Sequence, residues 1–251
     1  MSSRAGAALP MLEARVGHAQ VWCTGRAQGN VGDQLGDDPE LVARNRAALR
    51  PRVGVDDGTR WAWVRQVHGT SVHVATEPRD ARGARGARGA REVLVDPVAD
   101  AVVTAVPGIA LAIVTADCAP VVLACAGAVG VVHAGHRGLA GGVIEATIAS
   151  LRAMGTGEMH AFLGPCIRVG SYEFGAGDLA RFVAQFGGGV EGRTRSGRPA
   201  LDIPAAIRVI LDREGVVDFD DSGVDTAESE AYFSYRREHE TGRQATIAVL
   251  A

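Results

Sequence analysis

The chain has 251 residues, 47% of them hydrophobic, with a formal net charge of -3; this supports a substantial core and gives no strong pull toward nucleic acid or an anionic membrane. No apolar run approaches the ~18 residues of a membrane span, and Pro10, Glu13 and Arg15 break the opening stretch, so no signal peptide is expected. Four cysteines (Cys23, Cys118, Cys125, Cys166) are too sparse for a disulfide framework in a chain this long and point to a reducing cytoplasm.

In chain order, Ala19–Thr24 reads as a first strand, followed by a glycine-rich acidic loop. Asp38 caps a helix that begins at Pro39 and runs to about Leu49. Trp61–Val67 and Ser71–Ala75 read as two strands around a tight turn at His68-Gly69. Arg79–Arg91 contains GARGARGAR, a cationic low-complexity stretch expected to be a surface loop; it lacks the interleaved aromatics of a nucleic-acid binder. Ala101–Thr104 opens a central sheet region, in which the apolar runs Leu111–Val114, Val121–Ala126 and Val129–Val132 read as buried strands. Gly142–Met154, Asp178–Phe186 and Pro204–Glu214 are helix candidates. Met159–Leu163, Tyr232–Tyr235 and Gln244–Leu250 are strand candidates, and Gly187–Pro199 is read as a loop. Strands and helices mix without strict alternation, which predicts a mixed-sheet, layered α/β domain; with no evident linker, residues 1–251 are expected to form one domain.

His68, Cys118 and His133 each lie at or beside a strand end among small or turn-forming residues. Two imidazoles and one thiolate are a common three-ligand set for zinc, with the fourth position left to water or substrate. The same residues permit a metal-free reading, with Cys118 as a nucleophile activated by His133 or His68 near Asp117. Copper is a third option, but a multicopper site needs many His-x-His pairs, and the seven histidines contain none. Arg137 and Arg243 are candidate anion binders by virtue of their guanidinium forks. Asn30, Gln66 and Glu173 are candidate substrate contacts, each with an ordinary structural alternative, and Cys166 is read as a buried cysteine beside the pocket. The cytidine-deaminase zinc signature is missing, since Pro165-Cys166 has no cysteine three residues on.

Gln66-Val67-His68-Gly69, Thr115-Ala116-Asp117-Cys118-Ala119-Pro120 and His133-Ala134-Gly135-His136-Arg137-Gly138 resemble motifs of the YfiH/laccase-domain family. So do Gly164-Pro165-Cys166-Ile167, Tyr172-Glu173, Phe233-Ser234-Tyr235-Arg236 and Thr241-Gly242-Arg243, with Gly36-Asp37-Asp38-Pro39 and Asn45-Arg46 earlier in the chain. Members have been called polyphenol oxidases and are now described as purine nucleoside phosphorylases. The resemblance implies an α/β/β/α sandwich with mixed sheets and one zinc on His68, Cys118 and His133. It also implies phosphorolysis of adenosine, inosine and 5′-methylthioadenosine, with adenosine deamination as a companion reaction. Cys118, His133 and Arg243 would then carry catalysis, and Arg243 or Arg137 would hold phosphate. The expected partners are a purine nucleoside and phosphate, and the expected state is a monomer or small homo-oligomer.

The chain departs from the family pattern at His136, where the HAGWRG motif carries Trp. Its loop before Asn30 is short, and Arg79–Arg91 has no evident counterpart. Two other classes stay open at this point: an editing hydrolase of cell-wall precursors that uses Cys118, and an interaction protein that has lost its activity.

Overall fold

The computed structural model describes residues 11–33, 37–54, 60–76, 96–239 and 241–250; the Arg79–Arg91 stretch lies outside them, as do Gly36 and Glu240. The first half runs β1 (Leu12–Val16), β2 (Ala19–Cys23), α1 (Pro39–Leu49), β3 (Arg60–Trp63), β4 (Val72–Val74), β5 (Ala101–Thr104) and β6 (Ile109–Thr115). There follow β7 (Ala119–Ala126), β8 (Ala128–Ala134), α2 (His136–Gly141), α3 (Val143–Met154), β9 (Thr156–Leu163) and α4 (Ala176–Phe186). The chain closes with β10 (Glu191–Arg193), β11 (Pro199–Leu201), α5 (Ile203–Arg213), β12 (Asp218–Asp221), α6 (Tyr235–Glu238) and β13 (Gln244–Leu250).

Two mixed sheets stack. One has the order β1-β2-β13-β6-β3, the other β12-β9-β7-β8-β5-β4. The pairs β3–β6, β4–β5 and β9–β12 are parallel, and the remaining neighbours in these sheets are antiparallel. Alternation along each strand sets the layers. On β7, Val122 and Ala124 meet Leu111 and Ile113 of β6 between the sheets. Val121, Leu123 and Cys125 point the other way, into a core shared with α3, α4 and α5. Behind the first sheet, Ala110, Ala112 and Ile247 pack with Trp22 and with Leu49 at the end of α1. The result is the expected α/β/β/α order. With apolar layers on both faces, β6, β7 and β8 are buried nearly throughout, which is why they read as unbroken apolar runs. Gly130 of β8 lies where a Cβ would come 2.8 Å from Val103 Cγ1 and 3.2 Å from Thr147 Cγ2, so its lack of a side chain lets α3 sit close to the sheet.

The cap of α1 is as read: Asp38 accepts from the backbone N–H groups of Glu40 and Leu41, with Pro39 at the first helical position. Other local readings need correction. The two strands expected around His68-Gly69 are short and belong to different sheets, because β3 adds to β6 while β4 adds to β5; the intervening segment crosses between layers. Tyr232–Tyr235 is not a strand. Ser234 accepts from Arg237 N and starts the short helix α6, so a local cap overrides aromatic strand propensity. The stretch read as a Gly187–Pro199 loop holds β10 and the start of β11, which pair as a hairpin. No helix among the described residues is long and apolar enough to cross a membrane.

Candidate metal centre

Three sheet-end positions converge. His68 lies on the crossing between β3 and β4, Cys118 on the step by which the chain leaves β6 for β7, and His133 near the end of β8. The antiparallel register of β7 and β8 sets Pro120 against His133 and Ala119 against Ala134, which brings the Cys118 step beside the second imidazole. One ligand atom from each of the three residues lies within 4.8 Å of the others. Cys118 Sγ is 3.7 Å from His68 Nε2, and the two imidazoles meet edge to face with centroids 4.7 Å apart. Gly135 makes this approach possible, since a Cβ there would come 2.7 Å from His68 Cδ2 and 3.3 Å from Cys118 Sγ.

A residue that no sequence motif singles out holds the arrangement together. Asp100 is fully buried just before β5. Its Oδ1 accepts from His68 N at 2.8 Å and is 2.8 Å from His133 Nδ1; its Oδ2 accepts from Gly69 N at 2.6 Å. Val67 N approaches both oxygens. One carboxylate thus folds the His68 loop and orients the His133 ring, leaving Nε2 as that ring's remaining nitrogen for a ligand. Burial raises the Asp100 carboxyl, but the His133 and Gly69 hydrogen bonds outweigh it and the net direction is down.

Cys118 and His133 are electrostatically coupled. Burial pushes the Cys118 thiol up, but the charge and hydrogen bond of His133, followed by those of His68, outweigh it and bring it down to about 6. Burial likewise opposes a charged His133, and the Cys118 charge and the Asp100 hydrogen bond overcome it, so His133 is raised. Near neutral pH this favours a thiolate paired with a protonated His133; the thiolate is the form a metal binds, and His133 must release its proton for its nitrogen to serve as a ligand. In a tetrahedral zinc site, bonds of about 2.3 Å to sulfur and about 2.0–2.1 Å to nitrogen put neighbouring S and N ligands roughly 3.6 Å apart. The Cys118–His68 separation matches this. The donor set and its geometry fit a metal ion with three protein ligands.

The backbone is strained on both sides of this point: His68 has φ +60° and Asp117 has φ +91°, each of order 1–3 kcal/mol for residues other than glycine. The neighbouring wall is aromatic. His136 Nδ1 lies 3.4 Å from the Tyr172 hydroxyl, its ring meets Phe174 edge-on, and Arg236 stacks over Tyr172 at 5.0 Å.

The remaining sequence-predicted residues are placed as follows. Arg243 is half-buried, within electrostatic reach of Cys118, Asp37 and Asp117, and its Nη1 donates to the carbonyls of Thr241 and Gly242. Asn30 Oδ1 accepts from Arg243 N and from Gly32 N, so Asn30 braces the Arg243 segment. Gln66 spends both ends of its amide on the backbone of Val114. Arg137 is exposed on α2, and Glu173 is exposed and paired with Arg198 at 2.8 Å. The structure therefore gathers the three candidate ligands and Arg243, and leaves Arg137 and Glu173 toward solvent. Cys166 is buried, and burial pushes its thiol up to about 12, which makes it inert.

The segment beside Arg243 is tied down by charge. Glu238 is paired with Arg26 and Arg237 and accepts from Thr241 Oγ1. Burial raises its carboxyl, but the hydrogen bonds from Thr241, Arg26 and Arg237 prevail and lower it from 4.5 to about 2. A folded-state value below the unfolded one lends stability that is complete above about pH 4.5 and lost as pH falls toward 2. Glu238→Gln is therefore expected to lower stability at neutral pH and to flatten its loss on acidification within that window, as read from urea melts across the pH range.

A two-sheet α/β/β/α sandwich that focuses two imidazoles and a thiolate on one point defines an α/β protein with a three-ligand candidate metal centre. The chain belongs to the multi-copper polyphenol oxidoreductase laccase family, whose model matches residues 17–251. It is 39% identical over 220 residues to a purine nucleoside phosphorylase of Streptomyces coelicolor, covering 86% of this chain and 85% of that one. A crystal structure of a Neisseria meningitidis protein of the DUF152 type is 31% identical, with a TM-score of 0.77, and the match covers 96% of this chain and 99% of that one. The Bacillus licheniformis hypothetical protein YfiH shares the fold, with a TM-score of 0.83 at 22% identity over 99% of this chain and 98% of that one.

Proposed function

We propose that this chain is a zinc-dependent purine nucleoside phosphorylase acting on adenosine, inosine and 5′-methylthioadenosine, with adenosine deamination as a companion activity. The observation that carries the reading is the convergence of His68, Cys118 and His133 in a chain whose relatives bear the name purine nucleoside phosphorylase. When bound, zinc supplies Lewis-acid polarisation at the position that its three protein ligands leave open.

The chain's own residues do the rest. Phosphate forms a bond to the ribose C1′ as the bond from C1′ to the purine nitrogen breaks, and the leaving base takes up a proton. Arg243 holds the phosphate, because its guanidinium is half-buried beside Cys118 and suits a tetrahedral oxyanion. Arg137 and Glu173 face solvent, with Glu173 already paired to Arg198, and are the weaker candidates for substrate contact, while Asn30 and Gln66 act through the segments they hold. The wall of His136, Tyr172 and Phe174 supplies flat apolar surface for the base. Zinc is preferred to the copper of the family's name because the donor set is one compact His-Cys-His group and the seven histidines include no His-x-His pair. A single laccase-type domain is supported by the span of the family match, and a reducing cytoplasm by the four free cysteines.

The test is turnover of each nucleoside with and without phosphate. The expected result is equal release of free base and the sugar 1-phosphate (ribose 1-phosphate from adenosine and inosine, 5-methylthioribose 1-phosphate from 5′-methylthioadenosine) that vanishes without phosphate. Base release indifferent to phosphate, or no turnover of any purine nucleoside, would overturn the reading.

A further inference from the structure

We propose that Asp117 is a positioning residue: it holds Cys118 in its metal-capturing orientation by tethering the ligand's backbone to the segment 225–239. The inference rests on the metal reading and adds the coupling of that site to a distant part of the chain.

Cys118 lies on the step where the chain changes sheets, so no strand pairing fixes its own backbone. The residue before it carries that burden. Asp117 is buried and holds φ +91°, which an aspartate adopts only when its surroundings enforce it. Three parts of the chain enforce it here. Oδ1 accepts from Thr226 Oγ1 at 2.7 Å, Oδ2 accepts from Arg236 N at 2.6 Å, and the backbone carbonyl accepts from Ile167 N at 2.9 Å. With both carboxylate oxygens engaged, Asp117 is a tether for the neighbouring ligand.

The far end of the tether is itself rigid. Arg237 donates to the carbonyls of Thr226, Ala227, Ser229 and Tyr232, which gathers the segment into one body. Thr226 N donates to Cys166 O, which joins that body to the loop carrying Ile167. Arg236, whose N–H holds Asp117, also lays its guanidinium over Tyr172 and donates to the carbonyls of Ser171 and Glu173. Ordering the aromatic wall and aiming the Cys118 sulfur are therefore one structural event. A carboxylate accepts from both donors; an asparagine can accept from Arg236 N only by turning its N–H₂ toward Thr226 Oγ1, which reverses that bond and removes the charge, so it is the milder change.

The experiment uses the full chain stripped of metal with a chelator and titrated with cobalt(II), whose thiolate-to-metal charge-transfer band reports ligation by Cys118. Asp117→Gly removes both side-chain bonds while accepting the positive φ without strain. It is expected to weaken cobalt affinity about 10–100-fold and to diminish the charge-transfer band. Asp117→Asn should weaken affinity less than Asp117→Gly, and Thr226→Val, which deletes a single hydroxyl outside the candidate ligand set, should give a smaller loss in the same direction. Asp117→Gly with wild-type affinity and an unaltered band overturns the proposal. If Asp117→Gly fails to fold, wild-type cobalt binding by both Asp117→Asn and Thr226→Val overturns it equally. A wild-type chain that takes up no cobalt removes the metal reading as well, whereas cobalt uptake indifferent to Asp117 removes the tether alone.

Discussion

Cys118→Ala is expected to leave the fold intact, to lose the bound metal, and to lower phosphate-dependent base release by about a thousandfold. The sulfur is the only anionic donor of the three-ligand set. Without it, only two imidazoles are left to hold a divalent cation, with no anionic donor among them. Lewis-acid stabilisation is worth several kcal/mol, and each 1.36 kcal/mol is a factor of about ten in rate, which gives the thousandfold estimate. The stability cost is small because Cys118 is half-buried at a sheet end, outside the three apolar clusters. Metal per chain by plasma emission, with turnover in parallel, checks both parts; a variant that keeps one tightly held metal ion and full turnover contradicts the assignment.

The second large effect is expected at Asp100. In the wild type, one fully buried carboxylate accepts from three successive backbone N–H groups, Val67 to Gly69, and lies 2.8 Å from His133 Nδ1. Asp100→Asn keeps the size but removes the charge and replaces one acceptor with a donor. The orphaned groups are buried, so a loss of about 3–5 kcal/mol in stability is expected, as for breaking a buried ionic pair from one side. Metal affinity should fall about 10–100-fold, since His133 loses the partner that fixes its tautomer and ring orientation. Urea denaturation of the metal-free chain reads the first effect and a competitive chelator titration the second. Wild-type values in both would show that Asp100 does not hold the ligands in place.

Much of this is legible in the sequence, for identifiable reasons. The buried strands β6, β7 and β8 are apolar on both faces, and such runs stand out without any tertiary information. Asp38-Pro39 announces its helix by local chemistry alone. The three candidate ligands are legible because His and Cys at strand ends are unusual enough to notice. Asp100 is not, because its partners lie more than thirty residues away on either side and nothing local distinguishes it from a turn aspartate. Asp117 stands out only as a neighbour of Cys118; its hydrogen bonds to Thr226 and Arg236 depend on a segment over a hundred residues downstream. β12 hides in an acidic DFDD stretch that forms a strand only as the parallel edge neighbour of β9. The α2 helix is masked by the glycines of HRGLAG, residues whose smallness serves close packing: a Cβ at Gly138 would come 2.7 Å from the carbonyl oxygen of Gly69. Asn30 and Gln66 cannot be told from substrate contacts until their amides are seen bonded to backbone.

Anomalous diffraction at the zinc edge, on crystals of protein purified without chelator, tests the shared-cation claim most directly. One peak per chain is expected, about 2.3 Å from Cys118 Sγ and about 2.0–2.1 Å from a ring nitrogen of His68 and of His133. A peak held by other side chains, or none at this junction of the two sheets, would contradict it.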